Sequence, residues 1–140
     1  MSVISTFRVT FHVFHPGIHA SEIESVFGLP IRYSQSVGCP RKTKNGKPLE
    51  GFYAETNVSF ALHEQPLNFD DISIDEVIMG SLQSFDFDYL RKIYESGGNC
   101  YFLVGVFSSG NVMFDLLVDV IKSLALSNVG VRFDFYGGED

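Results

Sequence analysis

Hydrophobic and polar residues alternate along some stretches of the chain, and this pattern predicts β-strands. Residues 7–14 (FRVTFHVF) place an apolar side chain at every second position, which is typical of a strand with one buried face. Residues 52–62 (FYAETNVSFAL) alternate in the same way and predict a second strand. Residues 100–107 (CYFLVGVF) are apolar on both faces and predict a central strand, and residues 131–136 (VRFDFY) predict a last one.

Helix signals fall between these strands. Ser21 with Glu24, and Ser73 with Glu76, have the spacing of capping boxes, in which side chains satisfy the free N–H groups of a first helical turn. The first box predicts a short helix that ends near Phe27. Two further helices are predicted at residues 86–96 and 112–126.

The order of these elements predicts an α+β fold in a single domain over residues 1–140. We expect a mixed four- to five-stranded sheet with helices mainly on one face, because strand–helix–strand units favour parallel neighbours and right-handed crossovers. The other face should be partly open. Its predicted side chains are Arg8, His12, Tyr53, Glu55, Arg132, Asp134 and Tyr136.

Composition fits one packed core and narrows the class of protein. Hydrophobic residues make up 45% of the 140, which is enough for a core without disulfides. Cys39 and Cys100 are far apart, so we expect free thiols, the first exposed in a loop and the second buried. No apolar run approaches the ~18 residues of a membrane span. These features predict a cytoplasmic protein that does not enter a membrane, as a monomer or weak dimer.

Positive charge is concentrated in a Gly/Pro-punctuated loop at about residues 38–51, within GCPRKTKNGKPLEGF (38–52). Such a loop could clamp an anion, with arginine as a bidentate donor and lysines as point charges. The alternative is an exposed hairpin-like connection, since Asn45-Gly46 is a type I′ turn signal. The candidate anion-binding residues are Arg32, Arg41, Lys42, Lys44 and Lys47.

Negative charge dominates the rest of the chain. Residues 51–140 carry fourteen acids and four bases, a balance that repels nucleic-acid phosphates and favours basic partners. Seven acids with no base between them form a candidate partner-binding region. They are Glu64, Asp70, Asp71, Asp75, Glu76, Asp86 and Asp88.

Two functional hypotheses follow from these charges. The first is a non-enzymatic binding protein whose acidic surface meets a basic protein such as a toxin or nuclease, in the manner of immunity proteins. The second is a small-anion-binding or enzymatic domain that uses the basic loop as a clamp over the open sheet face. No nucleic-acid partner is expected under either hypothesis.

Other polar groupings give little support for catalysis, a metal or a cofactor. His12, His15 and His19 are spaced like zinc ligands, but side chains three apart on a strand point to opposite faces. Asp115 and Asp119 would share one face of the predicted fourth helix, as a solvated stripe. No nucleophile elbow, P-loop or dinucleotide-binding glycine motif is present. We therefore predict no catalytic residues, no metal site and no cofactor.

Two segments, VFGLPIRYSQSVGCPRKTKNGKPLEGFYAETNVSFAL (26–62) and LALSNVGVRFDFYGGE (124–139), carry a resemblance to a family. The matching motifs are Gly28-Leu29-Pro30, then Gly38, Pro40 and Arg41, then Gly51-Phe52, and finally Asp134 with Tyr136. With them the chain resembles a bacterial family of uncharacterised proteins, domain of unknown function 4279. That family's tryptophan near the loop–strand junction is absent, since the chain has no Trp. The resemblance implies a small intracellular α+β domain and no particular activity.

Overall fold

A computed structural model of the protein describes residues 5–137. Residues 1–4 and 138–140 lie outside this range. The two ends of the domain predicted over residues 1–140, and residues 138–139 of the segment 124–139, therefore lie outside the described residues. In chain order the elements are β1 (Thr6–His15), α1 (Ala20–Phe27), β2 (Ile31–Gln35), β3 (Pro40–Lys42), β4 (Pro48–Phe52), β5 (Thr56–Ala61), β6 (Leu67–Asn68), α2 (Ile74–Ser84), α3 (Phe87–Glu95), β7 (Asn99–Ser108), α4 (Val118–Leu126) and β8 (Val129–Gly137).

The main sheet has the strand order β2-β5-β1-β7-β8, and the two-residue β6 also pairs with β1. Among the strands of residues 5–137, only β7 and β8 run parallel, with α4 as their crossover, and the other neighbours are antiparallel. Strands β3 and β4 form a separate two-stranded hairpin. The predicted α+β class and mixed sheet are confirmed, and β7 lies inside the sheet as its two apolar faces indicate.

Alternation along β1 decides which face of the sheet is covered. Its odd-numbered apolar side chains, from Phe7 to Val13, are fully buried. Phe11 lies at the centre of an aromatic cluster, with the Phe85 ring centroid at 4.6 Å and the Phe102 centroid at 5.1 Å. All four helices within residues 5–137 add buried side chains to this one core. The opposite face, carrying the even-numbered residues of β1, has no helix over it in the described chain and is called the open face below.

The two predicted capping boxes differ in outcome. Ser73 accepts from the Glu76 N–H at 3.1 Å, while the Glu76 carboxylate accepts from the Ser73 N–H, so the box that starts α2 is confirmed. The prediction for α1 is wrong, because His19 is the N-cap and its ring accepts from the Ser21 N–H. Helix α1 therefore begins before Ser21, which lies in its first turn.

The strand predicted at residues 52–62 is interrupted. Gly51 has a φ of +86°, β4 ends at Phe52, and β5 begins only at Thr56. The Thr56 hydroxyl fixes this start, since it donates to the Ile18 carbonyl at 2.6 Å and accepts from the Val37 N–H at 3.0 Å. Phe52 is consequently exposed, and Tyr53 and Glu55 precede the strand instead of lying on the open face.

The predicted fourth helix is shorter than expected. Helix α4 begins at Val118, and burial along residues 111–117 alternates between exposed and half-buried positions, as in extended chain. The Asp75 carboxylate accepts from the Leu117 N–H at 3.0 Å and holds this segment against α2. Asp115 lies before the helix, so the predicted Asp115–Asp119 helix face does not exist. Where almost every residue of a segment is apolar, periodicity cannot distinguish a helix from a strand.

Candidate functional site

The basic loop forms an exposed hairpin of strands β3 and β4. The Gly46 N–H donates to the Thr43 carbonyl at 2.9 Å, and the Thr43 N–H donates to the Lys47 carbonyl at 2.9 Å. Gly46 has a φ of +83°, whereas Asn45 has a negative φ. The connection is therefore a three-residue loop with a left-handed third residue, and the predicted type I′ turn at Asn45-Gly46 is wrong.

The hairpin, α1 and β2 line an open cavity of about 530 Å³. Arg41 and Lys42 line it opposite Glu24 and His19. Arg41 donates to the Glu50 carbonyl of its own hairpin at 3.3 Å. Arg32 does not line this cavity, so the five candidate anion-binding residues belong to two different places.

The seven acidic residues of the candidate partner-binding region do not form one patch. Asp86 caps α3, and Asp88 forms an ion pair with Arg91 at 2.7 Å. Helix α2, which at eleven residues spans roughly 16 Å, separates this pair from the acids at its own start. Glu64 and Asp71 are exposed, and both lie in the segment between β5 and α2.

A groove of about 680 Å³ gathers three of the seven acids together with one more carboxylate. Asp70, Asp75 and Glu76 line it near the start of α2, and Asp115 faces them from the extended segment before α4. Asp75 is 92% buried, since its residue is only 8% exposed. Its Oδ2 accepts from the Leu117 N–H, but its Oδ1 is buried without a hydrogen-bond partner among residues 5–137. We call these four acids the acidic groove.

The open face brings together arginines from three strands. Arg8 on β1 and Arg32 on β2 line one cavity of about 210 Å³, together with Asp134 and Tyr136 of β8. Arg132 lies on the same face, where register places it beside Leu103 of β7. Of the predicted open-face residues, Arg8, His12, Arg132, Asp134 and Tyr136 are confirmed.

Tyr101 anchors the centre of the open face. Its ring stacks on His12 with centroids 4.9 Å apart and planes 5° apart. The Arg132 guanidinium lies 4.5 Å from the centroid of the same ring and donates to its hydroxyl at 3.4 Å. Stacking of a cation and an imidazole on one ring fixes both side chains against the sheet.

None of the open-face arginines forms an ion pair with another residue of the described chain. Within residues 5–137, ion pairs shorter than 4.0 Å involve only Arg91 and Lys92, both on α3. Arg8 donates to the Glu64 carbonyl at 3.1 Å, which holds its side chain without cancelling its charge. Asp134 lies in the same cavity, but its carboxylate accepts from the Tyr136 hydroxyl at 2.5 Å. Guanidinium N–H groups are thus available to a ligand.

The charge of these arginines acts on His12. Burial, then the Arg132 charge, then the Arg32 charge lower the pKa of His12 below the ordinary value of 6.5. The neutral ring forms a hydrogen bond with the Thr10 hydroxyl, with His12 Nε2 and Thr10 Oγ1 2.9 Å apart. Because two arginines lower this pKa from a distance, a bound anion should reverse the effect.

His12 and His15 point to opposite faces of the sheet, as the parity of a strand predicts. His15 is buried at the end of β1, where its Nδ1 accepts from the Gly17 and Ile18 N–H groups, each at 2.9 Å. Its Nε2 lies 2.8 Å from the Ser96 hydroxyl after α3. No group of three or more His, Cys, Asp or Glu side chains placed to hold a metal occurs in the described part of the chain.

Sequence reasoning missed the role of Arg32 because it missed β2. The segment IRYSQ has neither clean alternation nor a long apolar run, and its register shifts between Ile31 and Tyr33. This irregularity surrounds Arg32, whose side chain reaches the open face rather than the basic loop. The sequence signal for a polar open face is Tyr101, because its hydroxyl lies on the same face of β7 as the apolar side chains of Leu103 and Phe107.

None of the helices that the structure describes has the length and apolar composition needed to cross a bilayer. Searches with protein-family models, curated proteins and solved structures find no match to this chain. The resemblance to the uncharacterised bacterial family therefore depends on the motifs alone.

Proposed function

We propose that this protein is a binding domain for a small anion and that the open face is its binding site. The observation that carries the proposal is the set of three arginines on three strands, with no ion-pair partner in residues 5–137. A guanidinium offers a planar fork of N–H donors that matches a carboxylate or a phosphate. Charge-assisted hydrogen bonds of this kind contribute about 1.5–3 kcal/mol each.

Size and net charge indicate which anion would bind. The cavity beside Arg8 and Arg32 measures about 210 Å³, which suits one carboxylate or phosphate group with a small substituent. The net charge of −7 repels a long polyanion, whereas a single charged group meets mainly the local arginines. Phe107 and Tyr136 stack at 4.8 Å along the same cavity and offer a flat apolar wall. We therefore propose a small ligand with one anionic group next to a ring.

Binding without catalysis accounts best for the polar groups on this face. Thr10 is only 4% exposed, and its hydroxyl is occupied by His12. Within residues 5–137 no carboxylate hydrogen-bonds to His12, so the orienting third member of a nucleophile–base–acid arrangement is missing. The arginines suit binding, and within residues 5–137 both hydroxyls that line their cavity, those of Thr10 and Tyr136, already have hydrogen-bond partners.

Isothermal titration calorimetry with phenyl phosphate tests the proposal, and inorganic phosphate measures the contribution of the ring. We expect Arg32→Gln and Arg8→Gln each to raise the Kd about 10- to 100-fold, the equivalent of one charge-assisted hydrogen bond. Arg41→Gln is the matched control, because it removes an arginine that lines the hairpin cavity instead. A loss of binding with Arg41→Gln but not with Arg32→Gln would assign the anion site to the basic loop and overturn the proposal.

A second candidate function, the binding of a basic protein, is favoured by the acidic groove. Asp75 has a buried Oδ1 to which no residue between 5 and 137 donates, and burial of such an atom is unfavourable unless a donor reaches it. A lysine or arginine from a toxin or nuclease could supply the donor, and Asp70, Glu76 and Asp115 would add long-range attraction.

An oligo-arginine peptide is a suitable probe of this second candidate. The triple variant with Asp70→Asn, Glu76→Gln and Asp115→Asn should weaken binding, with an effect that shrinks as salt rises. The pair Asp86→Asn and Asp88→Asn is the control, since these acids lie at the far end of α2. Weakening in proportion to the number of charges removed, three against two, would mean that the peptide responds to net charge alone, and the groove would then have no specific role.

A further inference from the structure

Strand β8 is an unprotected edge of the main sheet. It is nine residues long, and within residues 5–137 no strand pairs with its outer side. Its pairing with β7 is continuous, and its sequence VGVRFDFYG contains no proline or lysine. Proline or lysine on an edge strand normally blocks edge-to-edge pairing between proteins. The opposite edge strand, β2, is five residues long and has a register shift, so only β8 offers a long regular edge.

The surface next to this edge is apolar. Helix α4 packs on β8 and leads directly into it. Six large apolar side chains on the segment before α4, on α4 and on β8 are more than half exposed, and they are Met113, Leu117, Val118, Ile121, Leu126 and Phe135. A concentration of exposed apolar side chains beside a free strand edge indicates an interaction surface.

We propose that the partner on this surface is a second copy of the same chain, paired antiparallel through β8 about a twofold axis at Phe133. Phe133 is the midpoint of Val129–Gly137, so this register pairs the whole strand with its copy. It places Arg132 opposite Asp134 of the second copy, and the twofold axis repeats the pair. Val131 meets Phe135 of the second copy on the core side, which covers the exposed Phe135 ring. The same symmetry brings α4 next to its copy.

Other registers are less favourable. A twofold centred on Arg132 places two arginines directly opposite each other, and one centred on Asp134 does the same with two carboxylates. Like charges directly across a strand pair are destabilising. A shift by one residue would put the apolar side chains of one copy opposite the charged side chains of the other. Charge and apolarity therefore exclude the neighbouring registers, and only the register centred on Phe133 pairs the whole of β8.

Charge reversal tests the pairing, with mass measured by light scattering on a sizing column over a concentration series. The unmodified protein should approach twice its chain mass of 15.6 kDa. Arg132→Asp alone and Asp134→Arg alone should remain at the single-chain mass, because each creates two like-charge pairs. Mixing the two variants should restore the doubled mass, since every opposing pair then becomes complementary. Restoration on mixing also shows that both variants are folded.

A cysteine pair tests the same register by a second route. In a Cys39→Ser background, Arg132→Cys mixed with Asp134→Cys should form the mixed disulfide faster than either variant forms its own. Arg91→Asp, which reverses a charge on α3, is the control and should leave the doubled mass unchanged. A single-chain mass for the unmodified protein at all concentrations overturns the proposal and leaves the β8 edge to a strand of a different protein. The proposal is equally overturned if the mixed charge variants remain at the single-chain mass, or if the mixed disulfide forms no faster than the disulfide of either variant alone.

Discussion

Gly98 should tolerate no side chain, because it lies where α3 returns to the sheet. A Cβ built on Gly98 would be 2.6 Å from Ile93 Cγ2, 2.7 Å from His15 Cδ2 and 2.7 Å from the Phe14 carbonyl oxygen. Two of these atoms belong to fully or nearly fully buried side chains, and the third belongs to the backbone of β1. Gly98→Ala must therefore displace either the core or a central strand.

The expected cost follows from these three contacts. Overpacking a well-packed core destabilises a protein by about 1–3 kcal/mol, and a backbone atom of a paired strand yields less readily than a side chain. We expect Gly98→Ala to lower the free energy of unfolding by about 3 kcal/mol. The N–H of Gly98 donates to the Ile93 carbonyl at 2.8 Å, so a shift of the chain also weakens the end of α3.

Urea denaturation followed by circular dichroism measures this loss, and Gly80→Ala is the matched control. Gly80 is exposed within α2, and a Cβ there meets nothing within 4 Å. The same substitution should raise the free energy of unfolding by about 0.5–1 kcal/mol, because alanine favours a helix over glycine. A Gly98→Ala variant as stable as the unmodified protein would refute the argument from close approach.

Three further predictions concern titratable and reactive groups. Burial lowers the pKa of His15 below 6.5, so the unfolded chain binds the proton more readily and stability should fall as the pH drops below that value; urea denaturation at several pH values should show this slope, and His15→Gln should reduce it. Phenyl phosphate should raise the pKa of His12, observed by its NMR titration, because the anion offsets the charges of Arg32 and Arg132; an unchanged titration with bound ligand would place the anion elsewhere. Burial raises the pKa of the Cys100 thiol to about 12, so a thiol reagent should modify Cys39 alone in the native protein, and modification of both at equal rates would contradict the interior position of β7.

The fold class was predictable because strict alternation and capping are local signals. Alternation along β1 correctly separated the buried residues from Arg8 and His12, and the Ser73–Glu76 box marked the start of α2. The errors fall where tertiary contacts decide the local structure. Leu117 would extend α4 by its apolarity, but a hydrogen bond to Asp75, 42 residues away, holds it in extended chain.

The candidate site was harder to predict because it depends on strand order. Arg8, Arg32 and Arg132 are far apart in sequence, and they share a face only because β2 and β8 lie in the same sheet as β1. The sequence associates Arg32 with the basic loop, its neighbour along the chain, since the irregular β2 shows no alternation. Likewise, the seven acids of residues 64–88 follow one another without an intervening base, but α2 separates those near its start from Asp86 and Asp88 after its end.

The kinds of basic residue on the two positive surfaces distinguish their chemistry. The basic loop carries three lysines and one arginine on an exposed hairpin, which suits a diffuse, hydrated attraction. The open face carries three of the five arginines of the chain, and two of these are held by defined contacts with Glu64 and Tyr101. Fixed guanidinium groups lose less conformational entropy on binding than mobile lysines. For a small anion with directional acceptors, this difference favours the open face over the loop, even though the loop has the greater density of positive charge.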